Sequence, residues 1–146
     1  MNDEIVRLRE KTGAGVMDCK RALTDAKGDF DAAVALIGER GLAKVEKRAD
    51  REAGAGMIFS YVHNDRIGVL VDMRAETDFV VHSDPFKETI REIAMQVAAA
   101  APENVEALMD QPYIKDESKA VKDLINDVIA KVGENVKVRA FSRIEL

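Results

Sequence analysis

Residues 76–80, Glu-Thr-Asp-Phe-Val, place a carboxylate beside a large aromatic side chain at the end of a predicted strand. Loops at such positions are held by a rigid scaffold and often carry function. Two interpretations are open from these residues alone. Either Phe79 fills the core while Asp78 caps a turn, or the pair projects as a binding tip. Since most Phe side chains lie in cores, these residues taken alone favour the core interpretation.

Residues suited to enzymatic or metal chemistry do not form a matching set. His63 and His82 lie on different predicted elements, and Cys19 lies in an apolar helical stripe with no histidine nearby in sequence. Zinc-ligand spacing is therefore lacking, and Cys19 is expected to be a small buried residue. Ser60 and Ser142 lie in predicted strands without the sharp turn that exposes a nucleophile. We expect no enzymatic activity, no bound metal and no cofactor.

The composition bounds the class of protein. With 146 residues, 47% hydrophobic and 34% charged, the chain is expected to fold as one ordinary domain or a small domain plus a module. A net charge of −5 argues against direct binding to nucleic acid. No apolar run approaches the roughly 20 residues of a membrane span, and the N-terminus lacks a signal-peptide hydrophobic region. We expect a cytoplasmic protein without membrane or nucleic-acid partners.

Residues 1–41 predict a three-helix module that resembles ubiquitin-associated-type bundles. Thr12 to Gly15 and Lys27-Gly28 separate the three helices. Val16 and Met17 lie in the first turn of the second helix, where Met17 either packs on the first helix or belongs to a binding surface. Residues 42–53 are rich in charge and predict a helical linker.

The pattern of residues 54–146 predicts an α+β core domain that also forms the dimer interface. Strands at 57–63 and 66–75 are joined by a two-residue turn, Asn64-Asp65, and are followed by a helix from Pro85, a helix from 116–118 and a final strand at 135–145. In this β-β-α-α-β order, two helices cover one face of a three-stranded antiparallel sheet. A second copy of the chain is expected to cover the other face. A simple alternation along the final strand places Arg139, Phe141 and Arg143 on that dimer face.

Three segments of the chain resemble signature sequences of the elongation factor Ts family. They are residues 8–23, LREKTGAGVMDCKRAL; residues 76–80, ETDFV; and residues 131–136, KVGENV. The family consists of guanine-nucleotide exchange factors that act on elongation factor Tu in translation elongation. The resemblance covers nearly the whole chain and implies the same role here, on the GDP-bound form of the GTPase.

The resemblance also implies which residues meet the partner. The helical module would dock through Val16, Met17 and Lys20. Residues Thr77 to Val80 would enter the GTPase near its magnesium site, with Phe79 as a wedge and Asp78 disturbing the surroundings of the ion. The turn formed by Gly133, Glu134 and Asn135 would lie near the same interface.

Some features depart from the family pattern, and other functions stay open. Arg74 stands where Asn is usual, Val81-His82 replaces Ala-Lys, and the short segment between Pro102 and Pro112 leaves no room for inserted helices. The sequence holds one sheet-bearing unit where longer members have two, which favours a homodimer.

A ubiquitin-associated-type adaptor is the alternative, but it rests on residues 3–41 alone. A small RNA binder is disfavoured by the acidic net charge and by the absence of an aromatic platform.

Overall fold

The computed structural model describes residues 2–146 and divides into two units between Arg48 and Ala49. The first unit contains three helices: α1 (Asn2–Thr12), α2 (Val16–Asp25) and α3 (Phe30–Arg48). Their apolar faces pack into one small core, which confirms that Cys19 is buried. The buried members of this core are Ile5, Leu8, Cys19, Ala22, Leu23 and Ala33.

Helix α3 is longer than the sequence patterns predict. It begins after Asp29, whose side-chain Oδ1 accepts a hydrogen bond from the Ala32 amide at 3.0 Å, and it continues through residues 42–48. Residues of high helix propensity dominate that last stretch, and Lys44 forms a 3.3 Å salt bridge with Asp18 of α2. The division of the chain at residues 41 and 53 stays a prediction.

The second unit is built on an antiparallel sheet of three strands. They are β1 (Ala55–His63), β2 (Ile67–Ala75) and β5 (Val136–Glu145), in the order β1-β2-β5. The predicted two-residue turn between β1 and β2 is confirmed: Asn64 and Asp65 have φ values of 51° and 58°, and the Arg66 amide donates to His63 O. Both central residues are thus left-handed, the geometry that matches the twist of a hairpin.

Helices cover one face of this sheet, as predicted, and the α+β class is confirmed. Helix α4 (Asp78–Val81) follows β2 directly, and α5 (Asp84–Ala100) packs across β1 and β2. Helix α7 (Val121–Val132) packs against α5 and β5. The side chains of β2 that face the helices are buried: Val69, Val71 and Met73.

The segment between α5 and α7 contains structure that the sequence patterns did not predict. Helix α6 (Val105–Asp110) lies where a loop was expected, and β3 (Pro112–Tyr113) pairs with β4 (Asp116–Ala120) where α7 was expected to begin. The amide of the buried Gln96 holds this hairpin, because it donates to Pro112 O at 3.1 Å and accepts from Ile114 N at 3.0 Å. Such a side-chain contact leaves no periodicity in the sequence.

The simple alternation predicted along β5 is wrong. The pairing shifts between Asp72 and Met73, so that Asp72 lies opposite Ala140 while Met73 lies opposite Val138, and Arg139 is an extra residue. This bulge keeps Val138 buried on the helix side and also turns Phe141 and Arg143 toward that side. Their assignment to a dimer face stays a prediction that a single chain does not test.

The remaining face of the sheet, here called the outer face, is uncovered in the single chain. Its large apolar side chains are each at least half exposed: Ile58, Val62, Leu70 and Ile144. Within residues 2–146, no helix combines the length and the apolar character that a membrane crossing requires.

Candidate functional site

Phe79 lies outside the core. Its side chain is 86% exposed at the surface of the second unit, so the interpretation that it fills the core is wrong. Its neighbours Val80 and Val81 are buried at 4% and 2% exposure. We call residues Thr77–Val80 the tip, because buried side chains hold it on one side and an aromatic ring projects on the other.

The tip is a single helical turn with a side-chain cap at its start. Thr77 is extended (φ −130°, ψ 153°), and its Oγ1 accepts a hydrogen bond from the Val80 amide at 3.4 Å. This satisfies one of the backbone donors that the start of a helix leaves unpaired. Asp78, at the first helical position, is exposed beside Phe79.

The far end of the tip is closed by its own side chains. His82 Nδ1 donates to Asp78 O at 2.7 Å, and Ser83 Oγ donates to Val80 O at 2.6 Å. Two of the carbonyl groups that a one-turn helix leaves unpaired, those of Asp78 and Val80, therefore have partners. Hydrogen bonds within this segment close both ends of the helical turn, and the Phe79 ring is its projecting group.

Two glutamates connect the start of the tip to the turn before β5. The Glu134 carboxylate accepts from Thr77 N at 2.9 Å and from Thr77 Oγ1 at 2.8 Å. In return, Glu76 Oε1 accepts from Asn135 N at 2.8 Å. Each glutamate thus binds the backbone amide of the residue that follows the other glutamate. We call these four residues, Glu76, Thr77, Glu134 and Asn135, the clamp.

The turn that supplies half of the clamp has a backbone requirement of its own. Gly133 ends α7 with φ 75°, a left-handed conformation that glycine adopts without strain. Asn135 is 6% exposed, and its side-chain amide donates to Arg51 O at 2.8 Å and to Ala49 O at 3.4 Å. Of the three residues predicted near the partner, Asn135 therefore has its side chain inside the unit.

The predicted site in the first unit lies at the start of α2. Val16 and Met17 are 47% and 57% exposed, so Met17 does not pack on α1 as one interpretation had it. Lys20, one turn further along α2, is also exposed. The opposite side of the helix carries the buried Cys19 and Leu23. The three predicted contact residues thus share the surface side of one helix.

A charged cluster on the outer face was not predicted. Arg74 donates to both carboxylate oxygens of Asp72, at 2.7 Å from Nε and 3.1 Å from Nη2, and Arg139 Nη1 lies 3.3 Å from Asp72 Oδ2. The Arg74 hydrogen bonds, together with the Arg139 charge, hold the pKa of Asp72 below its usual value despite its burial. The sequence does contain an indication of this pair, because Asp72 and Arg74 lie two residues apart and therefore share a face of β2.

Metal-binding side chains are not grouped in this site. Within the part of the chain that the structure describes, His, Cys, Asp and Glu side chains form no group of three that could hold a metal ion. The two sites that the structure does present are the exposed tip in the second unit and the exposed start of α2 in the first.

Comparison with known proteins places these features in a family. A family model described as "Elongation factor TS" matches residues 76–146. Curated relatives named "Elongation factor Ts" match almost the whole chain. The protein of Thermodesulfovibrio yellowstonii is 36% identical over 97% of this chain and 94% of its own length. That of Thermoanaerobacter sp. strain X514 is 38% identical over 97% and 92%, and that of Thermotoga sp. strain RQ2 is 41% identical over 99% and 94%.

These relatives are longer in the matched region. The alignments extend over 186–188 residues and this chain has 146, so at least 40 aligned positions in each relative have no counterpart here. The identity of 36–41% nevertheless extends over 97–99% of this chain. The chain therefore belongs to the elongation factor Ts family.

Proposed function

We propose that this chain releases GDP from elongation factor Tu by inserting the tip near the magnesium site of the GTPase. As a member of the elongation factor Ts family, the chain is a nucleotide exchange factor of translation elongation, and it does not catalyse a chemical reaction. The observation that carries the proposed mechanism is the Phe79 side chain, 86% exposed on a helical turn that is anchored by the buried Val80 and Val81. The relatives give no support to a ubiquitin-associated-type adaptor.

Phe79 supplies the driving force in this proposal. Burying a phenylalanine side chain that starts almost fully exposed contributes about 2–3 kcal/mol. Magnesium at a nucleotide site is held by few protein ligands together with phosphates and water. A displacement of those ligands by a bulky ring therefore weakens the hold on both the ion and GDP. Interfaces commonly concentrate binding energy in one or two aromatic anchors of this kind.

Asp78 adds an electrostatic contribution. Its carboxylate enters the site beside Phe79, in a region where the partner holds a cation and phosphates. A carboxylate brought near Mg²⁺ changes the field at the ion, and one brought near phosphates repels them. Both effects favour departure of the GDP–Mg²⁺ pair. Val80 and Val81 stay in the core and hold the tip while it is inserted.

The first unit provides a second contact. Val16 and Met17 offer exposed apolar surface at the start of α2, and Lys20 adds a positive charge one turn later. Docking of this surface on the GTPase raises the effective concentration of the tip at its target. Affinity in this proposal rests largely on the α2 surface, and acceleration rests on the tip.

The exchange cycle follows from linkage. Because the factor and the nucleotide each weaken the binding of the other, the coupling is reciprocal. Binding of the factor expels GDP, and subsequent binding of GTP expels the factor.

A homodimer completes the outer face in this proposal. Ile58, Val62, Leu70 and Ile144 present apolar surface on one side of the sheet, and a second copy related by a two-fold axis would cover it. Arg139 lies on this face beside Asp72, whereas Phe141 and Arg143 point to the helix side and Arg143 donates to Ala98 O. We place the protein in the cytoplasm, acting without direct nucleic-acid or membrane partners.

The proposed function is tested by GDP release. Elongation factor Tu loaded with labelled GDP is mixed with excess unlabelled nucleotide, with and without this chain, and the release rate is measured. The proposal predicts a rate that rises with chain concentration and saturates. An unchanged rate across the concentration series contradicts it. Met17→Ala should raise the half-saturating concentration more than it lowers the maximal rate.

A further inference from the structure

The tip requires outside support to keep its orientation. A single helical turn is unstable alone, because the first turn fixes several residues for one hydrogen bond. Val80 and Val81 fix the depth of α4 by their burial. They do not fix the direction in which β2 leads into it. That direction depends on Glu76 and Thr77, which lie between the end of β2 and the start of α4.

The clamp provides this support from a distant part of the sequence. Glu134 binds the amide and the hydroxyl of Thr77, so that both groups of the helix cap are held by one carboxylate. Glu76 accepts from Asn135 N, and Asn135 Nδ2 donates to Arg51 O. The Glu76 carboxylate also lies 3.7 Å from Arg51 Nη1.

We infer that Glu134 and Asn135 are positioning residues for the tip, and that they act through Thr77 and Glu76 instead of contacting the partner. This inference rests on the proposed function and refines the expectation that residues 133–135 lie in the interface. Asn135 has its backbone amide and its side-chain amide engaged within the unit, and it is 6% exposed. One oxygen of Glu134 accepts from Thr77 N and the other from Thr77 Oγ1.

We expect the clamp to affect the step of exchange in which the tip displaces GDP. A wedge that inserts against resistance must be rigid at its base, because a flexible base lets the ring turn aside and adds an ordering cost on binding. The clamp ties that base to the start of β5 and to residues 49–51, the first residues of the second unit. Loss of the clamp should leave docking through α2 in place. It should therefore slow the displacement step at saturation and leave the half-saturating concentration nearly unchanged.

The test separates the maximal release rate from the half-saturating concentration. Glu134→Ala should lower the maximal rate about 10- to 100-fold, the scale of a misplacement by about 1 Å, and change the half-saturating concentration less than about twofold. Glu103→Ala, which removes an exposed carboxylate from the loop before α6, serves as the matched control and should behave as wild type. Asn135→Ala should resemble Glu134→Ala, provided that it folds.

A second pair of variants covers the case in which Asn135→Ala does not fold. Thr77→Val removes the hydroxyl that binds Glu134 and should lower the maximal rate, whereas Thr77→Ser keeps that hydroxyl and should restore it. Amide hydrogen exchange gives a readout that does not need the partner. In Glu134→Ala, the Thr77 and Val80 amides should exchange faster while amides in the β1–β2 ladder keep their protection.

Three outcomes would overturn the inference. A Glu134→Ala variant with a raised half-saturating concentration and a normal maximal rate would make Glu134 a contact residue. Wild-type kinetics in Glu134→Ala, with Phe79→Ala slow, would overturn the inference alone. Wild-type kinetics in Phe79→Ala would overturn the proposed tip mechanism and the inference together.

Discussion

At the scale of single residues, side-chain direction separates function from packing. Phe79 projects while its neighbours Val80 and Val81 are buried, so one helical turn presents one ring and anchors itself with two other side chains. The identity of Phe79 alone pointed the other way, since most Phe side chains are core residues. The resemblance of residues 76–80 to a family signature favours the projecting orientation, which the exposure of Phe79 confirms.

Gly56 is a residue whose lack of a side chain has a structural cause. A Cβ atom at this position would lie 2.4 Å from Arg74 Cδ and 2.9 Å from Met73 O. Gly56→Ala should therefore lower the free energy of unfolding by about 1–3 kcal/mol, measured by urea denaturation. Gly68→Ala is the matched control on β2, because nothing lies within 4 Å of a Cβ there. Equal stability of the Gly56→Ala variant and wild type would contradict the packing described here.

At the scale of elements, the parts that the sequence predicts are those in which apolar residues recur at a regular spacing. The α5 stripe and the alternation along β2 each follow a regular spacing, and the β1–β2 turn has residues suited to it. The β5 bulge and the β3–β4 hairpin were missed for one reason. Both involve contacts between residues far apart in sequence: Arg139 with Asp72 at the bulge, and Gln96 with Pro112 at the hairpin. The clamp likewise joins residues 57 or more positions apart.

The cluster that pairs β2 with β5 makes stability depend on pH. Arg74, and then Arg139, favour the ionised form of Asp72 and lower its pKa in the folded state. The contribution of this carboxylate is therefore present above the unfolded pKa of about 3.9 and is lost as pH falls through the lower folded-state value. Asp72→Asn should be less stable than wild type near neutral pH, and the difference should shrink on acidification.

The measurement is urea denaturation of both proteins between about pH 6 and pH 2. Asp65→Asn, in the exposed β1–β2 turn, serves as the control because its carboxylate is exposed and remote from the cluster. A constant difference between Asp72→Asn and wild type across this range would show that Asp72 does not contribute through its charge.

At the scale of the whole molecule, the two units divide the work in our proposal. The first unit offers a docking surface on α2, and the second holds the tip. The relatives carry at least 40 aligned residues that this chain lacks, yet the exposed tip and the clamp that holds it are both present. The uncovered outer face is the feature of the second unit that the exchange mechanism does not use.

The dimer proposal is tested by sedimentation at micromolar concentration. Wild type should sediment as two chains, and Leu70→Lys should sediment as one, because it places a charge at the centre of the outer face. Ile114→Lys introduces the same charge at an exposed apolar residue in the β3–β4 turn and should stay dimeric. Wild type that sediments as a monomer would contradict the proposal.

The most direct test of the account is the maximal GDP-release rate of Phe79→Ala at saturating concentration. We predict a severe loss, at least about tenfold for the roughly 2–3 kcal/mol of burial removed, with an unchanged unfolding transition because Phe79 lies outside the core. Leu146→Ala, which truncates another exposed apolar residue, should exchange as wild type. A Phe79→Ala variant that is fully active, or one that unfolds, would contradict the account.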